Sequence, residues 1–187
     1  ILTVTGTGPT ITTLTASASS NTVQYTSTGA QTVKAATYVN LTKSGVGGTA
    51  TLGGTTVVNG TLTLTSGTLD ANNNAVTIAG SLSSSNSNTR AITMGSGTWT
   101  LSGTGTVWDV STATNLTLTA NASTIAFTDT SSSSKTFAGG GKTYNNVTVT
   151  AAGSGAVIFQ GSNTFNDFTI NAPKTITLTS GTTQTIS

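Results

Sequence analysis

Residues 143–170 carry one strand pattern written twice, 21 residues apart. Thr143, Tyr144, Asn145, Asn146, Val147, Thr148 and Val149 return as Thr164, Phe165, Asn166, Asp167, Phe168, Thr169 and Ile170. Each copy alternates apolar and polar side chains, the period of a strand with one buried face. A small-residue turn follows each copy: Ala151, Ala152, Gly153, Ser154 and Gly155 after the first, Asn171, Ala172 and Pro173 after the second. A second strand-like run comes next, at residues 156–159 or 175–178. A unit this short cannot enclose its apolar face alone. It does so by stacking on its neighbours, so this feature points to a β-solenoid.

A longer repeat surrounds the short one. Residues 22–66 match residues 124–181: Thr22, Val23, Gln24, Tyr25 and Thr26 parallel Thr124, Ile125, Ala126, Phe127 and Thr128, and residues 37–42 parallel residues 143–148. Apolar positions stay apolar in both copies while the turns change length, as solenoid coils diverge. In this alignment Tyr38, Val57, Tyr144 and Phe165 share one repeat position and are expected in one internal column. Between the copies, residues 61–123 keep the alternation with wider spacing, and nothing there has helical periodicity. The whole chain, residues 1–187, therefore reads as a single all-β repeat domain of roughly seven or eight coils of about 20 residues. Residues 1–20 hold two short alternating runs separated by Gly6, Gly8 and Pro9, which read as a terminal cap or a donated strand. The alternative is a β-sandwich, pilin-like domain with that N-terminal strand donated to a neighbour.

Composition narrows the chemistry. About a quarter of the residues are Thr, 34% are apolar and only 5% are charged, while Glu, His and Cys are absent. Thr, Val and Ile suit a pleated, half-buried surface. The net charge of +2 comes from five Lys and one Arg without a basic stripe, which excludes nucleic acid as an expected partner. No apolar run is long enough to span a bilayer as a helix. The chain starts at Ile1 without Met and shows no signal peptide, as either an internal fragment or an exported product with its signal removed would.

Catalysis needs a proton donor, an acceptor or a nucleophile at the right distance. The carboxylates are Asp70, Asp109, Asp129 and Asp167. Asp109 and Asp129, one coil length apart, are the one pair to check for glycoside chemistry. Each Asp otherwise reads as a turn residue. With no Cys or His, and no clustered carboxylates, neither zinc nor calcium is expected, and no cofactor is implied. Gly139, Gly140, Gly141, Lys142 and Thr143 have the wrong upstream spacing for a phosphate-binding loop and read as a turn. An Asn or Asp recurs at Asn40, Asn59, Asp109, Asn146 and Asp167, expected as an internal row of side chains bonding up and down the stack, with a sugar- or cation-binding row as the functional alternative. The Thr-x-Thr pairs at Thr61, Thr117, Thr148 and Thr175 are irregularly spaced along the chain, which speaks against an ice-binding face built from them.

The runs at residues 37–42, 58–69 and 143–149 resemble those of the large β-strand-repeat surface proteins. These are the filamentous-haemagglutinin-like and autotransporter-like β-solenoids of bacteria, with similar repeats in phage fibre proteins. The resemblance covers most of residues 22–187 and implies an extracellular or cell-surface structural role, with no functional residue carried over. The expected function is that of a non-enzymatic fibre subunit or segment, assembled head-to-tail with copies of itself. An adhesin or phage fibre segment binding surface glycans is the alternative. Glycan binding calls for exposed aromatic rings, with Trp99, Trp108, Tyr25, Tyr38 and Tyr144 as candidates, although Tyr38 and Tyr144 align with Val57 and so read as buried.

Overall fold

The alternation of Thr with Val, Leu and Ile produces 22 strands, and no helix forms among the described residues. The computed structural model describes residues 1–7, 11–150, 153–171 and 174–187. The turn readings at residues 8–9, 151–152 and 172–173 lie outside the described residues. β1 (Leu2–Val4) opens the stack. Five turns of three strands follow. The first has β2 (Thr22–Tyr25), β3 (Gln31–Val33) and β4 (Thr37–Tyr38), and the second β5 (Asn40–Lys43), β6 (Thr49–Leu52) and β7 (Thr56–Val58). Then come β8 (Thr61–Leu64), β9 (Gly67–Asp70) and β10 (Val76–Ile78), followed by β11 (Ser81–Ser83), β12 (Arg90–Thr93) and β13 (Thr98–Leu101). The fifth has β14 (Gly105–Asp109), β15 (Leu116–Thr119) and β16 (Thr124–Phe127). Three turns of two strands complete the chain: β17 (Lys135–Ala138) and β18 (Thr143–Val149), β19 (Val157–Gln160) and β20 (Thr164–Ile170), β21 (Ile176–Leu178) and β22 (Thr185–Ile186).

Corresponding strands of successive turns stack into three sheets. Sheet A has nine strands, from β1 to β21; sheet B has eight, from β4 to β22; sheet C has five, from β3 to β15. Every ladder between strands is parallel. The chain is thus a β-solenoid, and the antiparallel sandwich is not adopted. β1 pairs in register with β2 of its own chain, Leu2 beside Val23 and Val4 beside Tyr25. The tandem repeat seen in the sequence is a direct ladder, with Thr143 beside Thr164 and Tyr144 beside Phe165.

Registers hold although turn lengths vary. One column of sheet A runs Leu2, Val23, Leu41, Leu62, Leu82, Trp108, Phe137, Phe159, Leu178. The step along it ranges from 18 residues (Val23 to Leu41) to 29 (Trp108 to Phe137). The slack is taken up at the corners, where side chains do not have to alternate. At β14 the pairing shifts between Thr106 and Trp108, so that Val107 and Trp108 both turn inward.

Sheet C ends for a local reason. In the first five turns the chain passes from sheet A through sheet C to sheet B. After β17 it meets Gly139, Gly140 and Gly141, the last two at positive φ (65° and 68°), and turns straight into sheet B. With the third wall gone, the filling of the core changes. The three-sided turns are packed mainly with Val, Leu and Ile; the two-sided turns are filled with rings. Phe137 lies 4.9 Å from Tyr144 and 5.6 Å from both Trp108 and Phe159, centroid to centroid, mostly edge-on or tilted.

Two sequence expectations are corrected here. Tyr144 and Phe165 do share a column, but Tyr38 pairs with Val58, and that column continues through Ile78, Leu101 and Phe127 to Val149. Val57 lies half-buried on the other side of its strand. The 22–66 and 124–181 segments match in alternation but not in face: β2 belongs to sheet A and β16 to sheet B. Residues 37–42 bend around a corner from β4 to β5, whereas residues 143–149 form the single strand β18. Alternation carries no information about which wall of the solenoid a strand joins.

Candidate functional site

The carboxylates are dispersed. Asp70 accepts a hydrogen bond from the Asn72 amide (2.8 Å), Asp109 from the amide and hydroxyl of Ser111 (3.0 and 2.7 Å), and Asp129 from those of Ser131 (3.1 and 2.7 Å). These three hold turns. Asp167 lies exposed within β20, where the Thr169 hydroxyl reaches it at 3.4 Å. Asp109 ends its sheet A strand, while Asp129 sits at the corner before the next one begins, so they occupy different corners. Asp129 forms an ion pair with the buried Lys135. Burial alone would raise its pKa, but the hydrogen bonds from Lys135 and Ser131 hold the carboxyl below the usual range. Among the described residues no three Asp side chains come together to hold a metal ion.

The five Asn and Asp positions expected as one row are brought together only in part. Asn146 and Asp167 are register neighbours in sheet B. Asn40 begins β5 in sheet A, where its side-chain Oδ1 accepts from the Thr61 backbone amide at 2.9 Å. Asn59 is exposed at a corner, and Asp109 ends β14. The candidate glycan-stacking rings, Trp99, Trp108, Tyr25, Tyr38 and Tyr144, are all in the core at 0–1% exposure, so none offers a face to a sugar.

The interior holds a feature that alternation marks but ordinary motif reading passes over. Lys43 and Arg90 stand on the buried phase of their strands. Together with Gln31 and Lys135 they reach carbonyl oxygens at the corners. Lys43 donates to Gly45 O at 2.7 Å and Ser27 O at 3.1 Å, and Gln31 to Gly6 O at 2.7 Å and Val4 O at 2.8 Å. Arg90 donates to Asn88 O at 3.0 Å, to Thr114 O at 2.9 Å, and to Thr112 O and Ser84 O. Burial pushes the Lys43 ammonium pKa down from its ordinary value. These buried cations satisfy backbone acceptors at the corners of their own and adjoining turns. Those bonds make them pins rather than a binding site.

Outside, the most regular surface is the outer face of sheet A. There β2 presents Thr22 and Gln24, β5 Asn40 and Thr42, β8 Thr61 and Thr63, and β11 Ser81 and Ser83. Thr26, Ser44 and Thr65 continue the first three rows at the corner, as the bonds from the Ser44 amide to Tyr25 O and from the Thr65 amide to Lys43 O show. All eleven are uncharged and half-buried. Sheet B's equivalent column includes Val57 and Ala126, and sheet C's face includes Asp70 and Ala91. The two ends of the stack are apolar clefts: one of about 360 Å³ is lined by Phe159, Phe168, Ile176, Leu178, Gln184 and Ile186. Comparison of the chain with protein families, with characterised proteins and with solved structures finds no match.

Proposed function

We propose that the chain is a structural, non-enzymatic segment of an extracellular or cell-surface fibre, joined head-to-tail to further copies through main-chain pairing. The observation that carries this reading is the pair of free edges on an all-parallel stack. Sheet A ends at β1 on one side and β21 on the other; sheet B ends at β22 on one side, while on the other Ala16 bridges Tyr38 of β4 in parallel. Because every strand runs in the same sense, one end of the stack offers the polarity that the other requires. A head-to-tail contact of that kind does not close on itself and so propagates. The side chains there agree: Ile1 and Leu2 are 89% and 46% exposed at one end, Leu178 and Ile186 51% and 55% at the other. Natural sheets usually blunt such edges with charge or Pro. The resemblance to β-strand-repeat surface proteins supports the location, and the scarcity of Lys and Arg suits an exposed polymer by giving trypsin-like proteases few sites.

The test is concentration-dependent light scattering with electron microscopy of the purified chain. Growing scattering and thin filaments are expected, with removal of residues 1–15 giving short soluble species that keep most of the β circular dichroism. Full-length protein that stays monomeric at high concentration, or a truncated form that still makes filaments, would overturn the reading.

A further inference from the structure

The outer face of sheet A differs from the ends: it lies along the side of the stack and takes no part in the joint proposed above. Its four strands are in unbroken register, Thr42 beside Thr63 beside Ser83 in one column and Thr61 beside Ser81 in the next. The pairing shift at β14 and the carboxylate of Asp109 mark where the regular region stops. Parallel strands hold neighbouring side chains about 4.8 Å apart across the sheet and about 6.6 Å apart along each strand. The result is a two-dimensional lattice fixed by backbone hydrogen bonds.

Three further properties bear on what such a lattice can hold. Among the described residues, the hydroxyls of Thr42, Thr61, Thr63, Thr65, Ser81 and Ser83 make no hydrogen bond to protein, so water must satisfy them. A hydroxyl donates one bond and accepts two, much as water does, and the array contains no ion to impose its own hydration shell. Thr is restricted about χ1, which keeps its hydroxyl and methyl in place at little entropic cost on binding. None of the eleven side chains is fully exposed.

From this geometry we infer that the outer face of sheet A, centred on Thr63, binds ice by holding a layer of water in register with rows of oxygen atoms on the crystal surface. Hexagonal ice presents such rows at a repeat close to the strand spacing. The irregular Thr-x-Thr spacing in the sequence does not conflict with this. Thr61 and Thr63 belong to sheet A, Thr117 and Thr119 to sheet C, and Thr148 and Thr150 lie on and just beyond β18 in sheet B. The lattice uses Ser, Asn and Gln as well, and the corners absorb the differences in turn length.

The experiment compares the full chain with Thr63→Tyr, at the centre of the lattice, and Thr100→Tyr, outward on sheet B. Ice-crystal shape, thermal hysteresis and recrystallisation are measured after circular dichroism and melting establish that the fold is kept. The full chain and Thr100→Tyr should facet crystals and slow recrystallisation; Thr63→Tyr should lose both effects. If Thr63→Tyr melts early, Ser83→Tyr, one strand away, carries the same expectation. The inference is overturned if the full chain acts on ice no more than an inert protein at equal concentration, or if a folded lattice variant keeps the activity. It is equally overturned if sedimentation shows a side-by-side dimer that Thr63→Tyr dissociates while no species acts on ice. Filament formation is read separately, since deleting residues 1–15 leaves β2, β5, β8 and β11 in place.

Discussion

Replacing Arg90 by Met removes the guanidinium while keeping most of the stem. Arg90 is 2% exposed, and its nitrogens bond four carbonyls, those of Ser84, Asn88, Thr112 and Thr114, together with the Ser84 hydroxyl at 2.8 Å. Ser84 is itself buried, whereas Asn88, Thr112 and Thr114 are exposed, so water can replace the guanidinium at three of the four carbonyls. The orphaned Ser84 groups cost about 1–3 kcal/mol, and exchanging charge-assisted bonds for water at the rest costs about 1 kcal/mol more. Releasing a buried cation gives part of this back, since burial already depresses the Arg90 pKa. The expected net loss is about 1–3 kcal/mol. Urea unfolding should show a lower midpoint at unchanged slope, and hydrogen exchange should quicken around residues 112–116. A midpoint shift worth under about 0.5 kcal/mol would refute the pin argument, because only a guanidinium already served by solvent could be removed so cheaply.

Phe165, fully buried against Tyr144, Phe159 and Phe168, should cost about 3–5 kcal/mol when cut to Ala, read by the same unfolding assay. Gly48→Ala should cost about 1–3 kcal/mol, because a Cβ there would come within 2.3 Å of Ser27 O and 2.6 Å of Gly29 O in the turn beneath; a neutral result would mean the corners are not stacked backbone on backbone. Burial, above all, raises the phenol pKa of both Tyr38 and Tyr144. Their stabilisation is therefore complete below pH 10, the ordinary tyrosine value, and is lost as pH rises beyond it. Two pH units higher, Tyr144 alone costs roughly 2.7 kcal/mol, and Tyr38, whose hydroxyl reaches Lys34 O at a corner, adds less. Lys43, with its pKa lowered by burial, works in the opposite sense and regains stability as pH climbs toward 10.5. Melting temperatures should fall above pH 10, and the Tyr38→Phe, Tyr144→Phe double variant should fall less; equal falls would contradict the linkage.

Much of the architecture was legible because alternation and a near-constant step are properties of single residues. The tandem units at Thr143 and Thr164 became an in-register ladder, and the Gly139 to Gly141 run became the turn it looked like. The same reasoning could not say which wall a strand joins, since all three sheets bury the same kind of residue. That is why Tyr38 and Tyr144 align in sequence yet stand in different columns, and why Asn40 and Asn146 lie on different sheets. Lys43 and Arg90 left a signal in the text, a cation on the apolar phase of a strand. Its meaning depends on carbonyls supplied by Ser27 and by residues 112 and 114, in other turns. The lattice on sheet A was hidden for a related reason. Its rows are separated by corners of unequal length, so no fixed spacing in the chain announces it.

The solenoid rests on the stacking of its turns at strand spacing, and one distance measures that stacking. Gln24 and Gln160 stand in the same column of sheet A, linked through Thr42, Thr63, Ser83, Asp109 and Ala138. Six strand steps of about 4.8 Å place their backbones about 29 Å apart. Spin labels on Gln24→Cys and Gln160→Cys, with pulsed dipolar spectroscopy at a dilution where chains are separate, should give one narrow distribution consistent with that separation. A distribution centred below about 20 Å, as strands folded back in a sandwich of two sheets about 10 Å apart would allow, would contradict the solenoid.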